Sequence, residues 1–206
     1  MGKHKQSVDT QVLERIFAQG KGWVFTPTDF ADLGSRTAVA TALKRHKADG
    51  TIRQLGRGLY DRPRHDSKLG VLWPSLDAIV SAVKNRDAVR VQPTGAYAAN
   101  LLGLSDQVPM RVFYLTDGPK RTIRLGEMTI SFKHTTPRNM ATADRISGLV
   151  IQALRWLGQS NVDNRTVKIL QNRMDQSSRQ QLLADIRHAP VWIANVIRHI
   201  VQESEA

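Results

Sequence analysis

Thr37, Thr41, Lys44 and Arg45 recur at helical spacing near the start of the chain. Hydroxyls and cations on one helix face can hydrogen-bond base edges and phosphates in a DNA major groove. Ser35 and Arg36 extend this face at one end, and Lys47 extends it at the other. Ser35 is suited to cap the helix, and Gly50 to end it in the left-handed conformation. Val39, Leu43 and the ring of His46 fall on the opposite face, where they would pack inward. Thr51 to Leu55 and Leu59 to Asp61 then read as short strands joined by Gly56-Arg57-Gly58. The two glycines permit positive φ and leave Arg57 at the tip, placed to reach a phosphate or a minor groove. Arg53 in the first strand, and Arg62 and Arg64 beyond the second, complete the candidate DNA-binding set. A solvated helix followed by an ordinary hairpin would carry the same charges, so the preceding element decides between the two.

That element is Thr26-Pro27-Thr28-Asp29, with a capping hydroxyl, proline at the first helical position and a carboxylate three residues on. Phe25 and Phe30 take the hydrophobic-staple positions. The spacing predicts a short helix ending at Leu33-Gly34, a tight turn, and then the longer helix from Ser35. Short helix, turn and longer helix make a helix-turn-helix. Val8, Val12, Leu13, Ile16 and Phe17 predict a first helix over 7–19 that packs behind it. With the cation-tipped hairpin, residues 1–70 read as a winged helix-turn-helix domain. Lys3, His4 and Lys5 read as a frayed terminus rather than a basic arm.

The charge balance agrees with this placement. Thirty Lys and Arg against eighteen Asp and Glu give the 206 residues a net charge of +12, which favours polyanionic partners. The excess is +6 over residues 1–70, +4 over 71–140 and +2 over 141–206. There are no cysteines, which excludes disulfides, thiolate zinc sites and a cysteine nucleophile, and fits a cytoplasmic protein. The polar start Met1-Gly2-Lys3 does not read as a signal peptide. No apolar run approaches the roughly 18 residues of a membrane span.

Residues 71–206 read as a second domain, so the chain as a whole reads as α+β. Leu76, Ile79, Val80 and Val83 predict a helix, and Val89 to Val91 a short strand. Gln92-Pro93-Thr94-Gly95 reads as a turn into a helix over Ala96–Leu102. Arg111–Thr116 reads as a strand, and Thr122–Leu125 with Met128–Phe132 as a hairpin. This is an α/β region with a small, mostly antiparallel sheet. From Thr142 the pattern is a helical bundle, in which Trp192, Ile193, Val196, Ile197 and Ile200 form a wide apolar stripe that reads as core.

The sequence offers no catalytic signature. It lacks H-E-x-x-H, the phosphate-binding loop, G-x-S-x-G and G-x-G-x-x-G. Gly34-Ser35 is not followed by the paired carboxylates of a nucleotidyltransferase. The six histidines are scattered. The expectation is a protein that is not an enzyme and carries no metal or cofactor.

Two stretches resemble a known family. One is Arg57-Gly58-Leu59-Tyr60 after Val39, Leu43-Lys44-Arg45, Gly50 and Ile52. The other runs from Gln92-Pro93-Thr94-Gly95-Ala96 through Ala98-Ala99-Asn100 and Leu102-Gly103-Leu104-Ser105 to Gln107 and Pro109, with the strand Val112–Thr116 after it. Together they resemble AbiEi-like antitoxins of bacterial type IV toxin–antitoxin systems over about residues 7–140. His46 departs from the aliphatic residue usual there. The resemblance implies a winged helix that represses its own operon and a second domain that counters a nucleotidyltransferase-type toxin, in a setting of phage defence. Implied partners are double-stranded promoter DNA, with an inverted repeat, and the cognate toxin. The alternative is a stand-alone winged-helix regulator whose second domain binds a ligand or dimerises.

Overall fold

Phe25 and Phe30 show how the N-terminal part is assembled. The structure is a computed structural model that describes residues 7–202. Lys3, His4 and Lys5 lie outside the described residues. The Asp29 carboxylate accepts the Thr26 N–H at 2.7 Å and the Thr26 hydroxyl at 2.9 Å, and Pro27 opens the turn between them. This lock sets the two phenyl rings 5.5 Å apart, edge to face, and both are fully buried. The helix expected over 27–33 is a single 3-10 turn, Pro27–Phe30. Proline and the turn at Gly34 leave too few residues to repay α-helix nucleation. Gly34 does not need positive φ. It is required because a Cβ there would meet the Val8 side chain at 2.7 Å.

The chain divides into two compact units, Met1–Ala88 and Val89–Ala206. In the first, α1 (Val8–Gln19) and α2 (Arg36–Ala48) bury Val12, Ile16, Val39, Ala42 and Leu43 against the two phenylalanines. β1 (Val24–Phe25), β2 (Arg53–Gly56) and β3 (Leu59–Asp61) form an antiparallel sheet with β3 in the middle. A register shift between Gln54 and Gly56 marks the hairpin end. The run Arg62–Asp66 opens a second hairpin, β4 (Arg64–Asp66) with β5 (Gly70–Leu72). Asp66 builds its turn by accepting the N–H groups of Lys68 and Leu69 at 2.8 and 2.9 Å. Helix α3 (Leu76–Asp87) completes this unit. The break between the compact units therefore falls at Ala88, not at residue 70.

The second unit holds a four-stranded sheet in the order β6-β7-β9-β8, made of β6 (Val91–Thr94), β7 (Arg111–Thr116), β8 (Arg121–Leu125) and β9 (Met128–His134). Its outer ladders are antiparallel, and the central β7–β9 pair is parallel. Gln92-Pro93-Thr94, expected as a turn, is part of β6. Proline is accepted there because β6 is an edge strand with one unpaired side. Gly95, at φ 66°, opens α4 (Gly95–Leu101). Helices α5 (Ile146–Leu157), α6 (Asn164–Arg173), α7 (Gln176–Ala184) and α8 (Val191–Val201) enclose a core of Leu154, Leu170, Leu182, Ile193, Ile197 and Ile200. The wide stripe of α8 is core. The chain is thus mixed α+β, and among the described residues no helix is long and apolar enough to cross a membrane.

Candidate nucleic-acid interface

Helix α2 has two chemically distinct sides. Ser35 caps it by accepting the Ala38 N–H at 3.2 Å. Gly50 follows its end at φ 80°. Val39, Ala42, Leu43 and His46 are buried, while Arg36, Thr37, Thr41, Lys44, Arg45 and Lys47 are exposed. The Thr41 hydroxyl donates to the Thr37 carbonyl at 2.9 Å, which fixes its rotamer and leaves its lone pairs outward. Lys47 donates to Gln54 at 2.9 Å, tying the helix end to β2. Among the described residues, Arg36, Lys44 and Arg57 have side chains with no protein partner.

The remaining candidates separate by their partners. Arg57 is exposed at the tip of the β2–β3 hairpin, beside Gly58 at φ 63°. Arg53 is engaged internally. It donates twice to buried Asp61, at 3.0 and 2.7 Å, once to the Leu72 carbonyl at 3.0 Å, and it stacks 4.0 Å over the Trp73 ring. Three of its five N–H donors are spent inside the unit and the guanidinium lies on the Trp73 ring, which places Arg53 in the scaffold. Arg62 is half-buried, 4.1 Å over the Phe17 ring and donating to the Phe17 carbonyl at 3.3 Å. It neutralises the C-terminal carbonyls of α1. Arg64 is exposed on β4, its stem against Gly22.

Three residues that sequence patterns did not single out shape this face. Asp9 on α1 lies 3.1 Å from Arg45 and 3.5 Å from the His46 ring. Asp49 reaches the other ring nitrogen of His46 at 3.3 Å, so the imidazole sits between two carboxylates, where an aliphatic residue would only pack. Hydrogen bonds from the Thr51 hydroxyl and N–H, with a smaller contribution from His46, hold the Asp49 carboxyl below the usual range. Arg86 on α3 donates to the carbonyls of Arg57 and Gly58 at 3.0 and 3.1 Å and pins the hairpin turn. Its partners are 29 and 28 residues away, a separation that no local pattern reveals.

The exposed face offers cations, hydroxyls and a rigid helix. Among the described residues no group of three or more His, Asp or Glu is placed to hold a metal ion. The first unit is thus a small helix-and-sheet unit with one polar, basic helix face. The chain matches DUF6088, a family of unknown function, over residues 11–182, and belongs to that family. No curated protein matches it.

Proposed function

We propose that the first unit is a winged helix-turn-helix that binds duplex DNA, with α2 in the major groove and the β2–β3 hairpin as the wing on the adjacent groove or backbone. The observation that carries this reading is the two-sided α2, with Arg36, Thr37, Thr41, Lys44 and Arg45 outward and an apolar row inward. Arg57, on a turn held by Arg86, supplies the wing contact. In this reading Arg53 and Arg62 hold the wing and α1 rather than DNA. Two copies on an inverted repeat would give a promoter site of useful length.

The likeness of Gln92–Pro109 to AbiEi-like antitoxins extends the proposal. The protein then represses its own operon through the first unit and neutralises a nucleotidyltransferase-like toxin through the second. The test is titration of the protein's own promoter with the full-length chain and the Lys44→Ala/Arg45→Ala/Arg57→Ala variant. Each lost base contact weakens binding by about 1–3 kcal/mol. The same variant still protects cells that express the neighbouring toxin gene. Unchanged promoter affinity in the folded variant refutes the DNA reading. Absence of protection by the wild type refutes the antitoxin reading and leaves a stand-alone regulator.

A further inference from the structure

The second unit carries a basic sheet face for which DNA binding by the first has no use. Alternate residues of a strand point to opposite sides. In β7, β9 and β8 the buried side takes Val112, Tyr114, Ile130, Phe132 and Ile123. On the other side the register aligns Arg111, Thr129 and Arg124 in one row, and Phe113, Ser131 and Thr122 in the next. Lys133 adds a third cation, its ammonium 3.8 Å from the centre of the Phe113 ring. Arg111, Arg124 and Lys133 are exposed, and Phe113 is partly exposed. No carboxylate stands on this face within the four strands. Asp117, just past β7, is engaged by the backbone and guanidinium of Arg90 at 2.8 and 2.9 Å.

Helix α5 borders the same face. Its Gln152 accepts the Thr94 hydroxyl at 2.9 Å, and Thr94 is in register with Phe113. Arg155 lies three residues further along that side of the helix and donates to Asn139 at 3.1 Å. Burial, and then the neighbouring charge of Arg138, push the Arg155 guanidinium below its ordinary value.

A ring flanked by cations and hydroxyls on an open sheet is how proteins hold unpaired bases. The base stacks on the ring and the cations take the phosphates. A duplex cannot use the ring, because its bases are already stacked. We infer that the β7–β9–β8 face binds a single-stranded polynucleotide, one base stacking on Phe113 and phosphates meeting Arg111, Arg124 and Lys133, with Arg155 at the border. The absence of acids from the four strands gives the charge complementarity, and the ring favours nucleic acid over an acidic protein segment.

The experiment uses the full-length chain with fluorescent oligo-uridylate and oligo-deoxythymidylate, read by anisotropy. Phe113→Leu weakens binding of the single strand about ten-fold or more. The Arg111→Gln/Arg124→Gln/Lys133→Gln variant, all at exposed positions, lowers the salt slope by about two units, at roughly 0.7 per phosphate contact. That variant carries the test even if Phe113→Leu fails to fold. Promoter affinity is unchanged in both, and Lys44→Ala/Arg45→Ala/Arg57→Ala leaves single-strand binding intact. A preference for the uridylate places a 2′-hydroxyl contact on the face, whereas equal binding limits it to bases and phosphates. The inference is overturned if neither oligomer binds at concentrations that saturate the promoter, or if the sheet-face variants bind as the wild type does.

Discussion

Replacing Arg53 separates scaffold from interface in a single experiment. Arg53 is a cation one strand away from the wing tip, but its guanidinium makes two hydrogen bonds to Asp61, which is fully buried. Arg53→Met leaves that carboxylate buried and unpaired, which costs about 3–5 kcal/mol. Loss of the stack on Trp73 adds about 0.5–1 kcal/mol. Set against a typical domain stability of about 5–15 kcal/mol, this endangers the fold of the first unit. Arg53→Met/Asp61→Leu removes both charges, and replacing a buried pair by apolar side chains is often close to neutral. Denaturation at pH 7 is followed by fluorescence, with Trp23 and Trp73 reporting the first unit and Trp156 and Trp192 the second, and is fitted as two transitions. The first transition collapses in Arg53→Met, returns in the double variant, and the second stays in place. Promoter affinity of the double variant matches the wild type. An unmoved first transition in Arg53→Met, or a stable double variant that no longer binds promoter, refutes the scaffold role.

Ser75→Ala removes the hydroxyl that accepts the Ala78 N–H at the start of α3 and costs about 1 kcal/mol, read as a lower melting temperature with unchanged promoter affinity. Gly148→Ala drives a Cβ into the Thr142 carbonyl and the Gln92 side chain, and destabilises the second unit by about 1–3 kcal/mol in urea unfolding. Hydrogen bonds from the Thr166 N–H and hydroxyl, and from the Ser178 hydroxyl and N–H, hold the carboxyls of Asp163 and Asp175 below the usual range. Their contribution is therefore complete above the unfolded pKa of about 3.9 and is lost as pH falls through the lower folded value. Asp163→Asn/Asp175→Asn keeps both caps and makes the melting temperature less sensitive to acid below about pH 4.

The elements most legible in the sequence were those set by local chemistry. Thr26-Pro27-Thr28-Asp29 forms its reciprocal cap, Ser35 caps α2, and Val39, Leu43 and His46 face inward because period and capping are local properties. The hairpin Arg121–Leu125 with Met128–His134 follows from alternation around Gly126-Glu127. What was not legible depends on residues distant in sequence. The parallel β7–β9 pairing places β9 between its two predecessors, a topology that strand patterns do not encode. Membership of α3 in the first unit rests on its packing there, including the bond from Arg86 to the wing turn. Among the candidate cations, residue type could not distinguish exposed Arg57 from Arg53, whose acidic partner lies on the neighbouring strand. Asp66 building a turn for a second hairpin was visible in Asp66-Ser67-Lys68-Leu69-Gly70 only once the strands on either side were known.

Because the chain has no cysteine, a single introduced thiol can carry a DNA-cleaving iron chelate to a chosen position. Thr41→Cys on the outer face of α2, Arg57→Cys at the hairpin tip and Lys168→Cys on exposed α6 give three such reporters. With promoter DNA, the chelate at position 41 is expected to cut within each half-site. The chelate at position 57 cuts about half a helical turn away, roughly 5 base pairs, in the adjacent groove. The chelate at position 168 gives no localised cut. Uniform cutting from all three positions, or localised cutting from position 168 alone, would contradict a DNA-binding role for α2 and the β2–β3 hairpin.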